Sequence, residues 1–236
     1  VRGYHRPVRQ RLDLRAAAPR LPGLLFGLVI FGLGIALMVR SGLGLSPWEV
    51  LHQGISVRTG IAIGTVSILL GVVVLLAWIP LGERPGIGTI ANILLIGTCT
   101  NIGLALLPEL APFDLRATDP ADVAVRLTLL AAGIGLIGLG SGFYLGADLG
   151  PGPRDGLMTA LHARTGWSIR RVRTGLEVAV LVVGFLLGGT IGIGTVVFAL
   201  GIGPLVQWAL GYTDREGRLS RQRREEIEAE GEMAGE

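Results

Sequence analysis

Residues 27–104 of this 236-residue chain recur at 133–210, offset by 106 positions and without a gap. Gly27, Gly32 and Gly34 fall on Gly133, Gly138 and Gly140, and Leu43-Gly44 falls on Leu149-Gly150. Pro47 matches Pro153, Arg58-Thr59-Gly60 matches Arg164-Thr165-Gly166, and Gly86-Ile87-Gly88-Thr89 matches Gly192-Ile193-Gly194-Thr195. About a third of the aligned positions are identical, far above chance, so the chain is an internal duplication. Each copy holds three apolar runs, at about 21–39, 61–81 and 87–107, then 123–145, 169–187 and 193–211. Each run is long enough to cross a hydrocarbon core of about 30 Å. An odd number of spans per copy makes the second copy enter the bilayer from the opposite side, an architecture of transporters.

Composition excludes a soluble domain of ordinary make-up. Half of the residues are hydrophobic and only 17% are charged, against about a quarter charged in soluble proteins. The 38 glycines suit close helix packing in lipid. The spans lack the alternation of barrel strands, so they are expected to be helices. The net charge of +3 does not point to nucleic acid, because the arginines gather at span boundaries. All 21 basic residues are Arg. With the N-terminus inside, 17 of them fall on cytoplasmic segments, leaving only Arg40, Arg58, Arg116 and Arg126 outside. The inter-repeat loop, with Glu109, Asp114, Asp119 and Asp122, fits the outer side. Trp78, Tyr144, Trp208 and Tyr212 fall at inner span ends, as interfacial aromatics do. The arginines before Leu21 imitate a secretory signal, but the run recurs in the second copy and is expected to remain as a span. The single Cys99 allows no internal disulfide.

Between the first two spans of each copy lies a short helical pattern. In Gly42-Leu43-Gly44-Leu45-Ser46-Pro47-Trp48-Glu49, a glycine ends the first helix, Ser46 reads as N-cap, Pro47 as N1 and Glu49 as capping-box partner. Trp48, Leu51 and Ile55 make an apolar face opposite Glu49, His52, Gln53 and Ser56. Arg58 falls in the last turn and Gly60 just beyond it. The second copy repeats this with Pro153, Asp155, Leu157, Leu161, Arg164 and Gly166, and Ser168 is placed to cap the next span. Two readings stay open. The helices lie flat on the membrane, or they dip as half-helices towards the midplane and meet around a solute. A bare helix N-terminus attracts anions. Glu49 and Asp155 already supply negative charge there, so a neutral or cationic solute fits better.

Glu49 and His52 have the Glu-x-x-His spacing of di-iron bundles. The second copy has Asp155 and Met158 instead, and His162 stands at the position of Ser56, so no metal centre is expected. Glu177, the one carboxylate inside a span, is a functional candidate or the i+4 partner of Arg173. Asn101 and Gln207 are equivalent amides, suited to helix–helix hydrogen bonds or to solute contact. The GxxxG spacings, Gly23/Gly27 and Gly138/Gly142 among them, predict that the first and fourth spans cross closely. No zincin, nucleophile-elbow or Walker motif occurs, and neither an enzyme nor a cofactor is expected.

The strings Gly42-Leu-Gly-Leu-Ser-Pro-Trp-Glu-Val-Leu-His-Gln-Gly54, Gly86-Ile-Gly-Thr89 and Asp148-Leu-Gly-Pro-Gly-Pro-Arg-Asp-Gly-Leu-Met158 resemble the YczE/YyaS/YitT group of bacterial membrane proteins. That resemblance implies a multi-pass bacterial inner-membrane protein of undefined biochemical role. More distantly, the group is similar to the solute-binding subunits of energy-coupling-factor importers. It supplies no ligand residues.

The expected organisation is all-α and polytopic: a basic cytoplasmic segment 1–20, a three-helix repeat 21–107, an external acidic loop 108–122, an inverted repeat 123–211 and a charged cytoplasmic tail 212–236. Each repeat carries a short amphipathic or re-entrant helix after its first span. The expected function is a transporter or solute-binding membrane subunit, with Glu49, His52, Arg58, Asp155 and Arg164 lining a cavity helped by Asn101, Gln207 and Glu177. Its surroundings are the lipid bilayer and a small-molecule solute. A second copy, or a partner membrane or ATPase subunit, is compatible with such a body. The rival expectation is a non-transporting scaffold or regulator acting through helix contacts and the tail.

Overall fold

The computed structural model describes residues 17–111, 113 and 119–213. The basic segment before residue 17, Asp114 and Arg116 of the acidic loop, and the charged tail after Thr213 lie outside the described residues. The described chain is helical, with no strands among its residues. A single 3-10 turn, Ala18–Arg20, leads into α1 (Leu21–Ser41). There follow α2 (Pro47–Thr59), α3 (Ile63–Leu81), α4 (Ile87–Leu106), α5 (Pro120–Gly146), α6 (Pro153–Thr165), α7 (Ile169–Leu186) and α8 (Ile193–Thr213). The six long helices match the six expected runs to within about three residues at each end.

Five of these helices, α1, α3, α4, α5 and α8, are long and apolar enough to cross a membrane. Helix α7 is the exception. It has 18 residues, and its first half carries Arg170, Arg171, Arg173 and Glu177.

Terminal signals explain where the short helices stop. Gly60 and Gly166 close α2 and α6 with φ of 74° and 69°, the left-handed conformation that glycine adopts without penalty. Ser168 caps α7 by accepting from the Arg171 N–H. The N-termini depart from the expected grammar. Ser46 makes no side-chain cap, and Glu49 turns away from the helix end towards other partners. Proline at N1 removes one of the donors that a cap would otherwise satisfy.

Helices α1 and α5 form the central pair, and they meet through glycines. A Cβ on Gly27 would stand 2.8 Å from the Gly140 carbonyl oxygen, and one on Gly34 would stand 2.7 Å from that of Gly133. Later residues of α1 face earlier residues of α5, so the two helices run antiparallel. At the far end of the same seam Arg126 donates to the Ser41 carbonyl at 3.1 Å. Without a hydrophobic drive between helices in lipid, such close backbone approach supplies the packing.

Each repeat lends its loop to the other. The Gly88 N–H donates to Leu149 O at 2.8 Å, and the Gly194 N–H donates to Leu43 O at 2.8 Å. These four residues are two repeat-equivalent pairs, exchanged. The arginines follow the same rule: Arg58 of α2 donates to Leu187 O just past α7, and Arg164 of α6 donates to Pro80 O in the last turn of α3. Helix α2 accordingly packs on α7, and α6 on α3.

Two of the four expected interfacial aromatics are instead internal. Trp78 is buried against Gly156 and donates from Nε1 to Pro153 O. Tyr144 is buried with its hydroxyl on Gly150 O. Their indole and phenol groups found backbone acceptors on the second repeat, as buried polar aromatics must. Trp208 and Tyr212 are exposed, as expected.

Candidate functional site

The exchange of α2 and α6 brings their N-termini together around one cavity of about 480 Å³, a volume typical of small-molecule sites. Ser46, Pro47 and Trp48 line it from one side, and Gly152, Pro153, Arg154 and Asp155 from the other. Helices α1, α3, α4, α5, α7 and α8 all contribute to its walls. Trp48 forms a cluster with Val74 and Trp78 of α3, against which Leu157 of α6 and Val180 of α7 pack. The buried residues of α2 include Glu49 and His52 as well as Val50, so its polar face turns into the protein.

Glu49 is 3% exposed. A carboxylate so buried needs compensation, and two groups give it. His52 Nδ1 lies 2.9 Å from Oε2, one helical turn along. Arg154 donates from Nη2 to Oε1 at 2.9 Å, reaching across from the other repeat. The same guanidinium sits 4.9 Å above the Trp48 ring, a cation–π placement.

Asp155 is the repeat counterpart of Glu49, yet its surroundings differ. Met158 stands where His52 would be, and Trp48 where Arg154 would be. Asp155 is exposed and lines the cavity. Among the described residues it has no ion pair, in contrast to Glu49, Asp122 and Glu177.

Other expected site residues divide into two groups. Glu177 lines the cavity and is paired with Arg173 at 2.9 Å, the i+4 partner the sequence offered. Gln207 lines the cavity as well. Asn101 does not. Its Oδ1 accepts from the Gly64 N–H at 2.8 Å and its Nδ2 donates to Thr65 Oγ1 at 3.0 Å, clipping α4 to α3. Arg58 and Arg164 are also away from the cavity, held on the helix-end carbonyls already described. Of the expected set, His52, Asp155, Glu177 and Gln207 line the cavity. Glu49 does not, because it is buried behind the wall on His52 and Arg154, and Asn101, Arg58 and Arg164 belong to the frame.

Sequence reasoning passed over Arg154 and the aromatic walls. Arg154 reads as one more positive residue on an inner loop. The available signal was its alignment with Trp48, which pairs a cation with an aromatic at equivalent positions. No group of three His, Cys, Asp or Glu able to hold a metal occurs among the described residues.

Residues 18–210 match the sequence profile of a family described as "Family of unknown function (DUF6198)". An uncharacterised protein of Haemophilus influenzae is 44% identical over 192 residues, covering 81% of this chain and 84% of its own. The uncharacterised membrane protein YczE of Bacillus subtilis is 33% identical, with 78% and 82% covered. The uncharacterised protein YyaS of the same organism is 29% identical, with 84% and 95% covered. No solved structure matches. The similarity to YczE and the five membrane-length helices together make this a membrane protein.

Proposed function

Since the chain belongs to this family of unknown function, which includes no characterised relative among those above, we propose a role from its site. The protein is a six-span bacterial inner-membrane carrier or solute-binding subunit of two inverted three-helix repeats. Helices α2 and α6 are half-helices that dip from opposite faces and hold a small neutral or cationic solute between their N-termini. Both chain termini are cytoplasmic, α7 is the sixth span, and the protein binds rather than transforms its solute.

One observation carries this reading: the N-termini of the two short helices share a cavity and touch through Arg154 and Glu49. The antiparallel α1–α5 seam and the exchanged loops support the inversion. The charge pattern supports the solute class. Glu49 and Glu177 are held in ion pairs by neighbours, while Asp155 faces the cavity with no ion pair of its own, Arg154 and Arg173 acting on it from a longer range. An anion would meet it unfavourably, whereas a cation or hydrogen-bond donor would be held.

Reporter fusions test the topology. Insertions at residues 115 and 190 are expected outside, and those at 85 and 160 inside. Alanine at Glu49 or Asp155 is expected to abolish the transport or binding phenotype of a strain that depends on the protein. An unchanged phenotype in both variants would remove the proposal. Deleting residues 214–236 is expected to leave the phenotype largely intact, and a complete loss would favour a scaffold acting through its tail.

A further inference from the structure

The two repeats close differently. In the first, Gly64 of α3 presses on the Gly97 backbone of α4, and Asn101 clips the pair together. In the second, Arg170 and Arg171 replace Gly64 and Thr65, and α7 and α8 scarcely touch. Gly203, the counterpart of Gly97, has nothing within 4 Å of where a Cβ would stand. Gln207, the counterpart of Asn101, makes no hydrogen bond among the described residues. Gly203 and Gln207 both line the cavity from α8, and Arg173 and Glu177 line it from α7. Both helices carry exposed apolar residues: Val178 and Val182 on α7, Val197 and Leu200 on α8.

Resting on the solute-cavity reading above, we propose that the α7–α8 gap is a lateral portal from the lipid, and that the solute is an organic cation with an apolar body. The lips would meet acyl chains, so a molecule dissolved in the membrane reaches the cavity without crossing water. Inside, Asp155 supplies the countercharge. Phe31, Tyr144 and Phe198 contribute aromatic walls, whose ring faces attract cations, while the Trp48 ring already carries Arg154. A small hydrated cation would lose its water to these apolar walls without enough oxygen ligands in return.

The test uses the full-length protein in lipid nanodiscs, with tetraphenylphosphonium as probe and equilibrium and stopped-flow binding as readouts. Saturable binding is expected for the unaltered chain, with tetramethylammonium a poor competitor. Asp155→Asn is expected to weaken binding about ten-fold or more. Gly203→Leu projects into open space, so its thermal midpoint should be unchanged while association slows about ten-fold as the portal fills. Gly201→Leu is the control: its added side chain also meets nothing within 4 Å, but the residue does not line the cavity, and binding should be unaltered.

If Gly203→Leu lowers the midpoint, Gly203→Ala is measured in its place and should slow association to a smaller degree. An absence of saturable binding, or equal competition by tetramethylammonium, overturns the solute class. Normal association in Gly203→Leu, alongside weakened binding in Asp155→Asn, overturns the portal. If the Glu49 and Asp155 alanine variants lose the cellular phenotype while the probe does not bind, the cavity stands and this inference falls. If that phenotype persists in both variants, both fall.

Discussion

Arg154 donates to Glu49 at 2.9 Å, and the two residues belong to different repeats. By repeat symmetry a second contact would join Trp48 to Asp155, and no such ion pair can form. The duplication has thus been broken at its centre. One carboxylate is sealed by a cation and a histidine, and the other is left facing the cavity. A symmetric frame with an asymmetric site is a workable basis for recognition, because the closed half fixes the geometry that the open half presents.

The Glu49–Arg154 pair should behave as a coupled unit. Arg154→Ala leaves a buried carboxylate with only His52 beside it, and is expected to cost about 2–4 kcal/mol. Glu49→Gln/Arg154→Ala should cost less than the sum of the single changes, with a coupling of about 1–3 kcal/mol. Thermal unfolding of the four proteins in detergent gives the cycle, and strict additivity would show that the contact is energetically idle.

The glycine seam makes a position-specific prediction. Alanine at Gly34 would set a Cβ 2.7 Å from the Gly133 carbonyl oxygen, and is expected to destabilise by about 1–3 kcal/mol. Gly135 lies on the same pair of helices, yet a Cβ there meets nothing within 4 Å. Gly135→Ala should be neutral or slightly stabilising, since glycine weakens a helix by roughly 0.5–1 kcal/mol relative to alanine. Heat-induced aggregation of the purified variants distinguishes the two.

Arg58 and Arg164 should act as helix-end caps. Each sits on a carbonyl near the end of a helix from the other repeat. Alanine at either is expected to lower stability by about 0.3–1 kcal/mol, with solute or probe affinity unchanged. A large loss of affinity at constant stability would place them in the binding machinery after all.

Asn101 and Gln207 are equivalent in sequence and should differ in consequence. Asn101→Leu removes both bonds that join α4 to α3 and is expected to cost about 1–2 kcal/mol. Gln207→Leu should leave the unfolding midpoint in place and alter affinity, because Gln207 faces the cavity. Equal effects of the two substitutions on stability would contradict the asymmetry of the repeats.

Much of the frame is legible in the residues. Apolar length locates the long helices, and Gly60, Gly166 and Ser168 mark their neighbours' ends. The first and fourth spans do cross closely, but through Gly27, Gly34, Gly133 and Gly140. Of the GxxxG pairs that predicted the crossing, Gly23 meets nothing and Gly138 and Gly142 pack on α8, because spacing alone does not say which neighbour a small face meets. The site is less legible because it depends on which repeat each side chain faces. Periodicity places Glu49 and Asp155 on short helices but is blind to Arg154 crossing from one repeat to the other. The capping signature of Ser46 and Glu49 misled for the same reason. A local hydrogen bond lost to a tertiary ion pair, which a chain read in isolation does not contain. Trp78 and Tyr144 read as interfacial because a position near a span end carries no information about what packs over it, here Gly156 of the second repeat on Trp78 and Gly27 of the first beside Tyr144.

The exchanged loop bonds have a consequence for biosynthesis. The Leu43 carbonyl is made early, but its Gly194 donor emerges only when most of the polypeptide has left the ribosome. Until then the first half is an unfinished body, with a backbone acceptor and an open packing face awaiting the second. A product truncated before α8 lacks the Gly194 donor and is expected to be less stable than the full-length chain.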